Sequence, residues 1–373
     1  MEIIQPAYLA AWHRRVSVLA EARLRLSCAH TAPTPYALRP PSVIFSAMSQ
    51  KRFLNAIGRK GDGQPVFGTG TSIACVELMH ETGAYFPQAH LDPEQMADLA
   101  IAGYSVLGMD VVMPLFSVCH EVAAIGCNVN WGTSEQMPES GSPIFRSAED
   151  IVIPPDLLHR PGCRVPLEAI GLLKKRLSGA AAVCGKVFGP WTLAYHLFGV
   201  ENFLMGTIDS SSATREILSR LLPVTLAFAK AQLDAGADCL LLADHATRDL
   251  CSPGAYRDFL LPVHSQLVRE IAAPLVLHIC GNTSDRIGMI EQTGMGCFHW
   301  DTKTGSPAEV RKLAGERMAL MGGISNYRLL QGTSQEIRAM AQAAATAGID
   351  VVGPECAIPL KTPLANLKAI AGK

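Results

Sequence analysis

The sequence predicts a (β/α)8 TIM barrel that occupies residues 48–373 as one domain. Three observations predict this fold. Eight short apolar runs alternate with segments of helical periodicity, the runs are continuously apolar, as in strands buried on both faces, and polar residues gather where the runs end. A doubly wound open sheet stays the alternative, because periodicity does not show whether a sheet closes.

The segment before this domain, residues 1–47, has a different composition. Its five arginines face only two acidic residues, and its second half is rich in proline, which disrupts regular structure. An arginine-rich, acid-poor leader is also typical of targeting peptides, but this one lacks the continuous apolar stretch of a secretion signal. We therefore predict a non-core N-terminal extension that is disordered, with the domain beginning at Met48.

The first part of the domain contains three predicted strands separated by helices. Glycine and proline at 68–70 and 189–190 end two of these strands. Leucine and alanine at helical spacing before Gly236 predict a long helix with a glycine terminator, kinked or restarted at Pro223. Residues 119–156 are predicted to be an irregular insertion. In chain order the predicted elements are helix 49–57, strand 64–68, helix 93–107, strand 110–115, helix 167–177, strand 181–188 and helix 212–235.

Five more strands follow at shorter intervals. Each ends in a polar residue or a glycine, and helical segments separate them. The predicted strands are 239–243, 275–279, 297–300, 319–321 and 351–352, with helices that include 254–271, 307–314 and 334–347.

Composition excludes several classes of protein. Hydrophobic residues make up 49% of the 373 residues and the net charge is -1, which argues against a polyanion-binding surface and against bulk disorder. No apolar run reaches the length of a membrane span, so we expect neither a nucleic-acid nor a membrane partner. The 11 cysteines show no disulfide-framework spacing and favour a reducing compartment, the cytoplasm.

The apolar run from Pro274 to Gly281 carries the strongest chemical signal. Side chains alternate along a strand, so His278 and Cys280 point to the same face, and an imidazole with a thiolate is half of a soft-metal site. Cys356, at the end of another apolar run, adds a third ligand of the same kind. The alternative is packing, because free cysteine is among the most buried residue types. Spacing alone leaves both interpretations open.

Three acidic residues also fall at or just past strand ends, the rim where barrel enzymes keep their active sites. We assign Asp244 and Asp301 to catalysis, since either carboxylate can orient the imidazole of His278. Either can instead cap the next helix or bind loop amides. Glu355 is a candidate fourth ligand. Three further histidines are interpreted as surface or packing residues: His245, His264 and His299.

With the strand ends placed, the sequence resembles the uroporphyrinogen decarboxylase superfamily, and within it the corrinoid-dependent methyltransferase branch. The resemblance runs from about Met48 to the end of the chain, and Leu-His-Ile-Cys-Gly-Asn at 277–282 is its most specific part. Decarboxylases of the superfamily carry an arginine-rich signature near the first strand, where this chain has Gly-Thr-Gly-Thr at 68–71. Further matching segments are 51–56, 76–79, 82–85, 189–194 and 362–369.

The resemblance implies a Zn²⁺ site with the ligands His278, Cys280 and Cys356. It also implies methyl transfer from a methylated corrinoid to a small thiol such as coenzyme M. The donor is expected on a separate corrinoid protein, since the chain has no Asp-x-His-x-x-Gly run. Zinc with an open position suits sulfur; tetrahydrofolate or another acceptor, and uroporphyrinogen decarboxylase-type activity, are the alternatives. Lys303 and Lys361 are the candidates for binding a sulfonate on the acceptor.

Overall fold

The computed structural model of the protein describes residues 49–61 and 63–372, so the predicted extension over residues 1–47 lies outside the described residues. Within them, eight strands form one parallel sheet and two more form an antiparallel pair. All eight predicted barrel strands are present. The strands are β1 (Val66–Phe67), β2 (Val111–Val112), β3 (Val129–Asn130), β4 (Glu139–Ser140), β5 (Ala182–Phe188), β6 (Cys239–Ala243), β7 (Leu275–Ile279), β8 (Cys297–Trp300), β9 (Ala319–Ile324) and β10 (Val351–Pro354).

The large sheet closes on itself, which decides between the two predicted architectures. Strands β2 and β5 to β10 are neighbours in chain order, and β10 pairs with β1. Two hydrogen bonds bridge β1 and β2: the Asp110 amide donates to the Phe67 carbonyl at 2.8 Å, and the Phe67 amide donates to the Asp110 carboxylate at 3.1 Å. Arg52 pairs with that carboxylate at 3.2 Å. The fold is the predicted (β/α)8 barrel.

The helices lie where they were predicted, with shifts at their ends. One begins six residues before its predicted start, at Pro161, because proline fits the first helical turn, and another continues through Pro223. Residues 254–271 form two helices joined by a π-helical turn over Tyr256–Leu260. The helices are α1 (Ser49–Ile57), α2 (Val76–Thr82), α3 (Gln88–Leu91), α4 (Pro93–Ser105), α5 (His120–Ile125), α6 (Pro161–Leu177), α7 (Pro190–Phe198), α8 (Val200–Asp209), α9 (Ser211–Asp234), α10 (Pro253–Ala255), α11 (Leu261–Glu270), α12 (Ile287–Gln292), α13 (Pro307–Ala314), α14 (Asn326–Gln331), α15 (Ser334–Thr346) and α16 (Leu364–Ile370).

The insertion over residues 119–156 is more regular than predicted. It contains α5 and the β3–β4 hairpin. Both strands have two residues, too few to show the alternation by which a strand is recognised in a sequence. Trp131 of the hairpin contacts the rings of His90 and His120, at centroid distances of 5.7 and 5.1 Å. No helix within the described part of the chain is long and apolar enough to span a bilayer.

Strand register identifies the side chains that face the barrel interior. A Cβ built on Gly70, in the loop after β1, would lie 2.9 Å from Leu241 Cδ1 on β6, so Leu241 points inward. Lys186 is its register partner on β5 and shares that face. Two residues further along the strands, the same face carries His278 and its partner His299. The barrel interior therefore holds several polar side chains near its C-terminal rim.

Candidate metal centre

Three predicted ligands converge at the C-terminal rim of the barrel. His278 Nε2 lies 3.0 Å from Cys280 Sγ and 3.4 Å from Cys356 Sγ, and the two sulfur atoms lie 3.0 Å apart. Among the described residues, these three form the group of histidine, cysteine and acidic side chains whose geometry is compatible with one ion. The fold thus brings together ligands that are 76 residues apart in the chain.

The orientation of the His278 ring is fixed by a backbone carbonyl. His278 Nδ1 lies 3.2 Å from the carbonyl oxygen of His299, and since a carbonyl only accepts, Nδ1 carries the proton and Nε2 presents its lone pair to the two cysteines. The His299 ring lies against the His278 ring, with centroids 4.5 Å apart. The carboxylate that we expected to orient His278 is replaced by this carbonyl.

Asp301 acts on the neighbouring cysteine through the backbone. Its carboxylate accepts from the amides of Gly281 at 2.9 Å and Lys303 at 2.9 Å. Gly281 has φ +81°, and a Cβ there would lie 2.4 Å from Thr247 Oγ1, so glycine is required at this turn. Asp301 therefore holds the turn that directly follows Cys280, which is the loop-amide alternative considered above.

A second acidic residue fixes the loop of Cys356. The Glu355 carboxylate accepts from the amides of Thr302 at 2.9 Å and Asn326 at 2.7 Å and from the Thr302 hydroxyl. It is not part of the converging group of ligands in the described residues. His299 Nε2 donates to the Pro354 carbonyl at 2.8 Å, which connects β8 to the end of β10. Glu355 and His299 together position the third ligand.

Asp244 belongs to a separate buried network. It accepts from the amide and the hydroxyl of Thr192 at 2.8 and 2.9 Å and lies 3.0 Å from His264 Nε2. His264 Nδ1 in turn lies 3.0 Å from the Tyr256 hydroxyl. These contacts connect the end of β6 with α7, which follows β5, and with α11. The Asp244 backbone amide donates to the His278 carbonyl at 3.1 Å, but the Asp244 carboxylate bonds to Thr192 and His264 and not to the His278 ring. The assignment of Asp244 to catalysis stays a prediction.

The three ligands are electrostatically coupled. The hydrogen bond from Cys280 holds the pKa of the Cys356 thiol well below its ordinary value, with a further contribution from His278. The same hydrogen bond, together with burial, raises the pKa of Cys280. One thiolate, on Cys356, is therefore favoured before any ion binds, and metal ligation requires the thiolate form.

The donor set and its spacing fit zinc. Two thiolates and an imidazole bind zinc at about 2.3 and 2.0 Å, which places tetrahedral ligand atoms about 3.5 to 3.8 Å apart. The observed separations of 3.0 to 3.4 Å are shorter than this, most of all between the two sulfur atoms, where the difference is about 0.8 Å, and rotation of the cysteine side chains would open the site. Cys280 and Cys356 remain partly exposed, which is typical of a catalytic site with an open position.

Comparison with known proteins identifies the family. The sequence profile of the uroporphyrinogen decarboxylase (URO-D) family matches residues 48–372. A methylcobamide:CoM methyltransferase of Methanosarcina barkeri is 35% identical over 323 residues, which are 86% of this chain and 95% of the relative. The chain belongs to the uroporphyrinogen decarboxylase family, in its methyltransferase branch. The predicted family and branch are confirmed, and the protein is a methyltransferase.

Two further methyltransferases support the placement in this branch of the uroporphyrinogen decarboxylase family. A methylated-thiol–coenzyme M methyltransferase of Methanosarcina mazei is 34% identical, with 79% of this chain and 80% of the relative covered. A solved methyltransferase structure from Methanosarcina mazei matches with a TM-score of 0.83 at 32% identity, covering 87% of this chain and 97% of that chain.

The structure of this family member also assigns positions to residues that sequence reasoning missed or misjudged. His299 is fully buried beside His278, because the two residues are register partners on adjacent strands. Lys303 is exposed, and Lys361 pairs with Glu135 at 3.3 Å on the surface. The buried lysine is Lys186, inside the apolar run of β5, and a lysine in such a run is unusual unless it is paired.

Proposed function

We propose that this methyltransferase binds one zinc ion through His278, Cys280 and Cys356 and transfers a methyl group from a methylated corrinoid to a small thiol. The observation that carries the proposal is the convergence of these three donor atoms at the barrel rim. It is supported by relatives named for methyl transfer to coenzyme M. In our proposal a separate corrinoid protein presents the donor, and the reaction takes place in the cytoplasm.

The three ligands suit this reaction because the acceptor sulfur must be a thiolate. An alkyl thiol is mostly protonated near neutral pH, and zinc, when bound, supplies the Lewis acidity that lowers the pKa of a coordinated thiol. Cys280 and Cys356, as thiolates, balance the two charges of the ion and keep the acceptor sulfur electron-rich. The sulfur pair forms the S–C bond, the Co–C electrons stay on cobalt as cobalt(I), and the thiol proton goes to solvent.

The surrounding groups contribute alignment in this proposal. The His299 carbonyl sets the tautomer of His278, Asp301 holds the turn after Cys280, and Glu355 holds the loop of Cys356. Rigid positioning of this kind is what an in-line methyl transfer requires. Asp301 is thus proposed as a positioning residue.

The proposal is tested by following the corrinoid spectrum. Methylcobalamin is incubated with the zinc-loaded enzyme and coenzyme M, homocysteine or tetrahydrofolate in parallel, and each reaction is repeated with Cys356→Ser. We expect thiol-dependent loss of the methyl-cobalt(III) spectrum with the wild type, and a loss of rate of roughly 10³-fold in the variant, the scale expected when a group acting on developing charge is removed.

Two outcomes contradict the proposal. Transfer to tetrahydrofolate alone, unaffected by zinc chelation, excludes the activated-thiolate mechanism. Absence of demethylation of both methylcobalamin and a methylated corrinoid protein excludes methyl transfer from corrinoid to thiol, and turnover of a porphyrinogen in the same samples establishes the decarboxylase alternative.

A further inference from the structure

A second set of buried polar side chains lies on the β2 and β5 side of the barrel. We call His90, His120, Glu121 and Lys186 the inner polar cluster. All four are at most 5% exposed. The His90 and His120 rings lie 6.0 Å apart, and Lys186 interacts electrostatically with each of the other three. The proposed function does not use any of these residues.

The inner polar cluster has hydrogen-bonding capacity that the described residues leave unused. Both ring nitrogens of His90 and of His120 are buried without a hydrogen-bond partner, as is Glu121 Oε2. The Gly162 backbone approaches the His120 ring without reaching hydrogen-bond geometry. Buried polar groups in native proteins are nearly always hydrogen-bonded. A polar molecule is therefore expected to complete these contacts.

Lys186 is the cationic member of the cluster. Its nitrogen lies 5.5 Å from the centre of the Phe188 ring. The side chain faces the barrel interior, within electrostatic range of Glu121 and of the metal ligand Cys356. Because burying an ammonium group is unfavourable unless opposite charge compensates it, this position suits an anion that enters with a ligand.

Burial sets the protonation of the inner polar cluster. It lowers the pKa of His90 to about 2 and that of His120 to about 3, so both rings are neutral and each offers one N–H donor. Burial lowers the pKa of Lys186 to about 8, a shift that the Glu121 carboxylate opposes, and raises the pKa of Glu121 to about 7. At neutral pH the cluster therefore contains two neutral imidazoles, the positive charge of Lys186 and a Glu121 carboxyl that is partly protonated.

We infer that the inner polar cluster binds the acidic group of the thiol acceptor, with Lys186 pairing its charge and the two imidazoles donating to its oxygen atoms. The inference rests on the proposed function, because it requires the thiol end of the acceptor to lie at the metal centre beside Cys356. The ligand class is a short alkyl thiol that carries a sulfonate or carboxylate at its other end. Lys303 and Lys361, the exposed candidates, then have no role in binding.

The test compares a matched pair of acceptors. Coenzyme M and mercaptoethanol share the thiol and the two-carbon chain, but mercaptoethanol lacks the negative charge. We expect the wild type to prefer coenzyme M in kcat/KM with methylcobalamin as donor. Lys186→Met lowers this preference roughly 10- to 100-fold, the range expected for losing hydrogen bonds to a charged group, and Lys186→Arg restores part of it. Lys230→Met, on an exposed helical residue, is the surface control.

A binding measurement separates this inference from the proposed function. Ethanesulfonate and its neutral analogue ethanesulfonamide lack a thiol, so calorimetric titration reports the anion site without methyl transfer. We expect ethanesulfonate to bind the wild type more tightly than the sulfonamide, and Lys186→Met to remove the difference. Circular dichroism and thermal melting establish that each variant is folded before titration.

The outcomes are distinguishable. Equal losses with both thiols in Lys186→Met, or loss of the preference in Lys303→Met or Lys361→Met instead, overturn the assignment of the inner polar cluster. Lys186-dependent binding of ethanesulfonate, in an enzyme that transfers no methyl group to any thiol, supports the anion site while the proposed function fails. Equal affinity of the wild type for ethanesulfonate and ethanesulfonamide overturns the anion site whatever the activity.

Discussion

The metal centre and the inner polar cluster lie in the same barrel, but their polar atoms are satisfied in different ways. At the metal centre, the His278 ring contacts a carbonyl and two sulfur atoms, and both acidic neighbours, Asp301 and Glu355, are occupied by loop amides. In the inner polar cluster, four imidazole nitrogens have no partner among the described residues. The three candidate ligands of the first region are positioned by protein groups, although Nδ1 of the neighbouring His299 also has no partner among the described residues. The second region, with four unpartnered ring nitrogens, is incomplete without a ligand.

This difference separates two tasks. A site that holds an ion needs its ligands fixed before the ion binds, because looseness lowers affinity and selectivity. A site that recognises a substrate group needs hydrogen-bond donors that the protein itself does not use. When the wrong substrate binds, these donors stay unpaired, and the missing hydrogen bonds disfavour that substrate. The predictions below test whether the two regions can be changed separately.

The largest expected effect follows from removing a metal ligand. Cys280→Ala lowers zinc content from about one ion per chain to near zero and activity by roughly 10³-fold, because two ligands no longer define a site. Metal analysis and the methylcobalamin assay measure both. Cys297→Ala, at a fully buried cysteine at the start of β8, is the matched control. Equal zinc in the wild type and Cys280→Ala removes the site.

Asp301→Asn is expected to lower zinc affinity roughly 10- to 100-fold, the range for groups that orient metal ligands, because an amide in place of the carboxylate weakens its hold on the Gly281 turn. Competition with a chelator of known affinity measures this change. Asp244→Asn is the comparison: its carboxylate bonds to Thr192 in α7 and His264 in α11, so we expect a lower melting temperature with unchanged zinc affinity. Equal loss of zinc affinity in both variants contradicts this separation.

His299→Phe tests the support of the metal centre from the barrel interior. Phenylalanine keeps an aromatic ring against His278 but removes the donor to the Pro354 carbonyl. A buried acceptor without a partner costs about 1–3 kcal/mol, so we expect the free energy of unfolding to fall by that amount. Urea denaturation measures it. A variant as stable as the wild type shows that β8 and β10 do not depend on this hydrogen bond.

The smallest predicted effect is a change in acid sensitivity. Burial lowers the pKa of His120 to about 3. Below about pH 6.5 the unfolded chain therefore binds a proton at His120 that the folded protein does not bind. The stability that depends on the neutral His120 ring is fully present above that pH. Below it the free energy of unfolding decreases, by about 1 kcal/mol between pH 6.5 and 5.5.

His120→Phe should remove this contribution, so its free energy of unfolding decreases less steeply than that of the wild type over the same interval. Denaturant titrations at about pH 6.5, 6.0 and 5.5 give the comparison. His159→Phe, at an exposed histidine, is the control. Parallel curves for the wild type and His120→Phe show that folding does not change the pKa of His120.

The barrel and the convergence of His278, Cys280 and Cys356 were predictable from the sequence because both depend on local signals. Strand ends are marked by glycine and polar residues, and the alternation of side chains along β7 is enough to place His278 and Cys280 on one face. The approach of the distant Cys356 was predictable because parallel strands bring their C-terminal ends to one rim. The resemblance to the family added the zinc assignment.

The roles of the surrounding residues were not predictable, because they depend on which groups meet across strands. A carboxylate near a candidate metal-binding histidine predicts a hydrogen bond between the carboxylate and the imidazole. The His278 ring bonds instead to the backbone carbonyl of His299, and because every residue carries such a carbonyl, the sequence contains no signal for this contact. His264 looked like a packing residue and is bonded to Asp244. The inner polar cluster joins α3, α5 and β5, which are far apart in the chain and share no periodic pattern.

The closure of the barrel between β1 and β2 has a consequence for its motion. These strands have two residues each, and the Asp110 carboxylate takes the place of a ladder of backbone hydrogen bonds. Segments with few backbone hydrogen bonds open by local unfolding at a lower free energy than the rest of a domain. The amides of Phe67 and Asp110 should therefore exchange with solvent deuterium earlier than those of β5 to β9. The barrel would then widen along one line, between β1 and β2, while the strands that carry His278 and Cys280 remain paired.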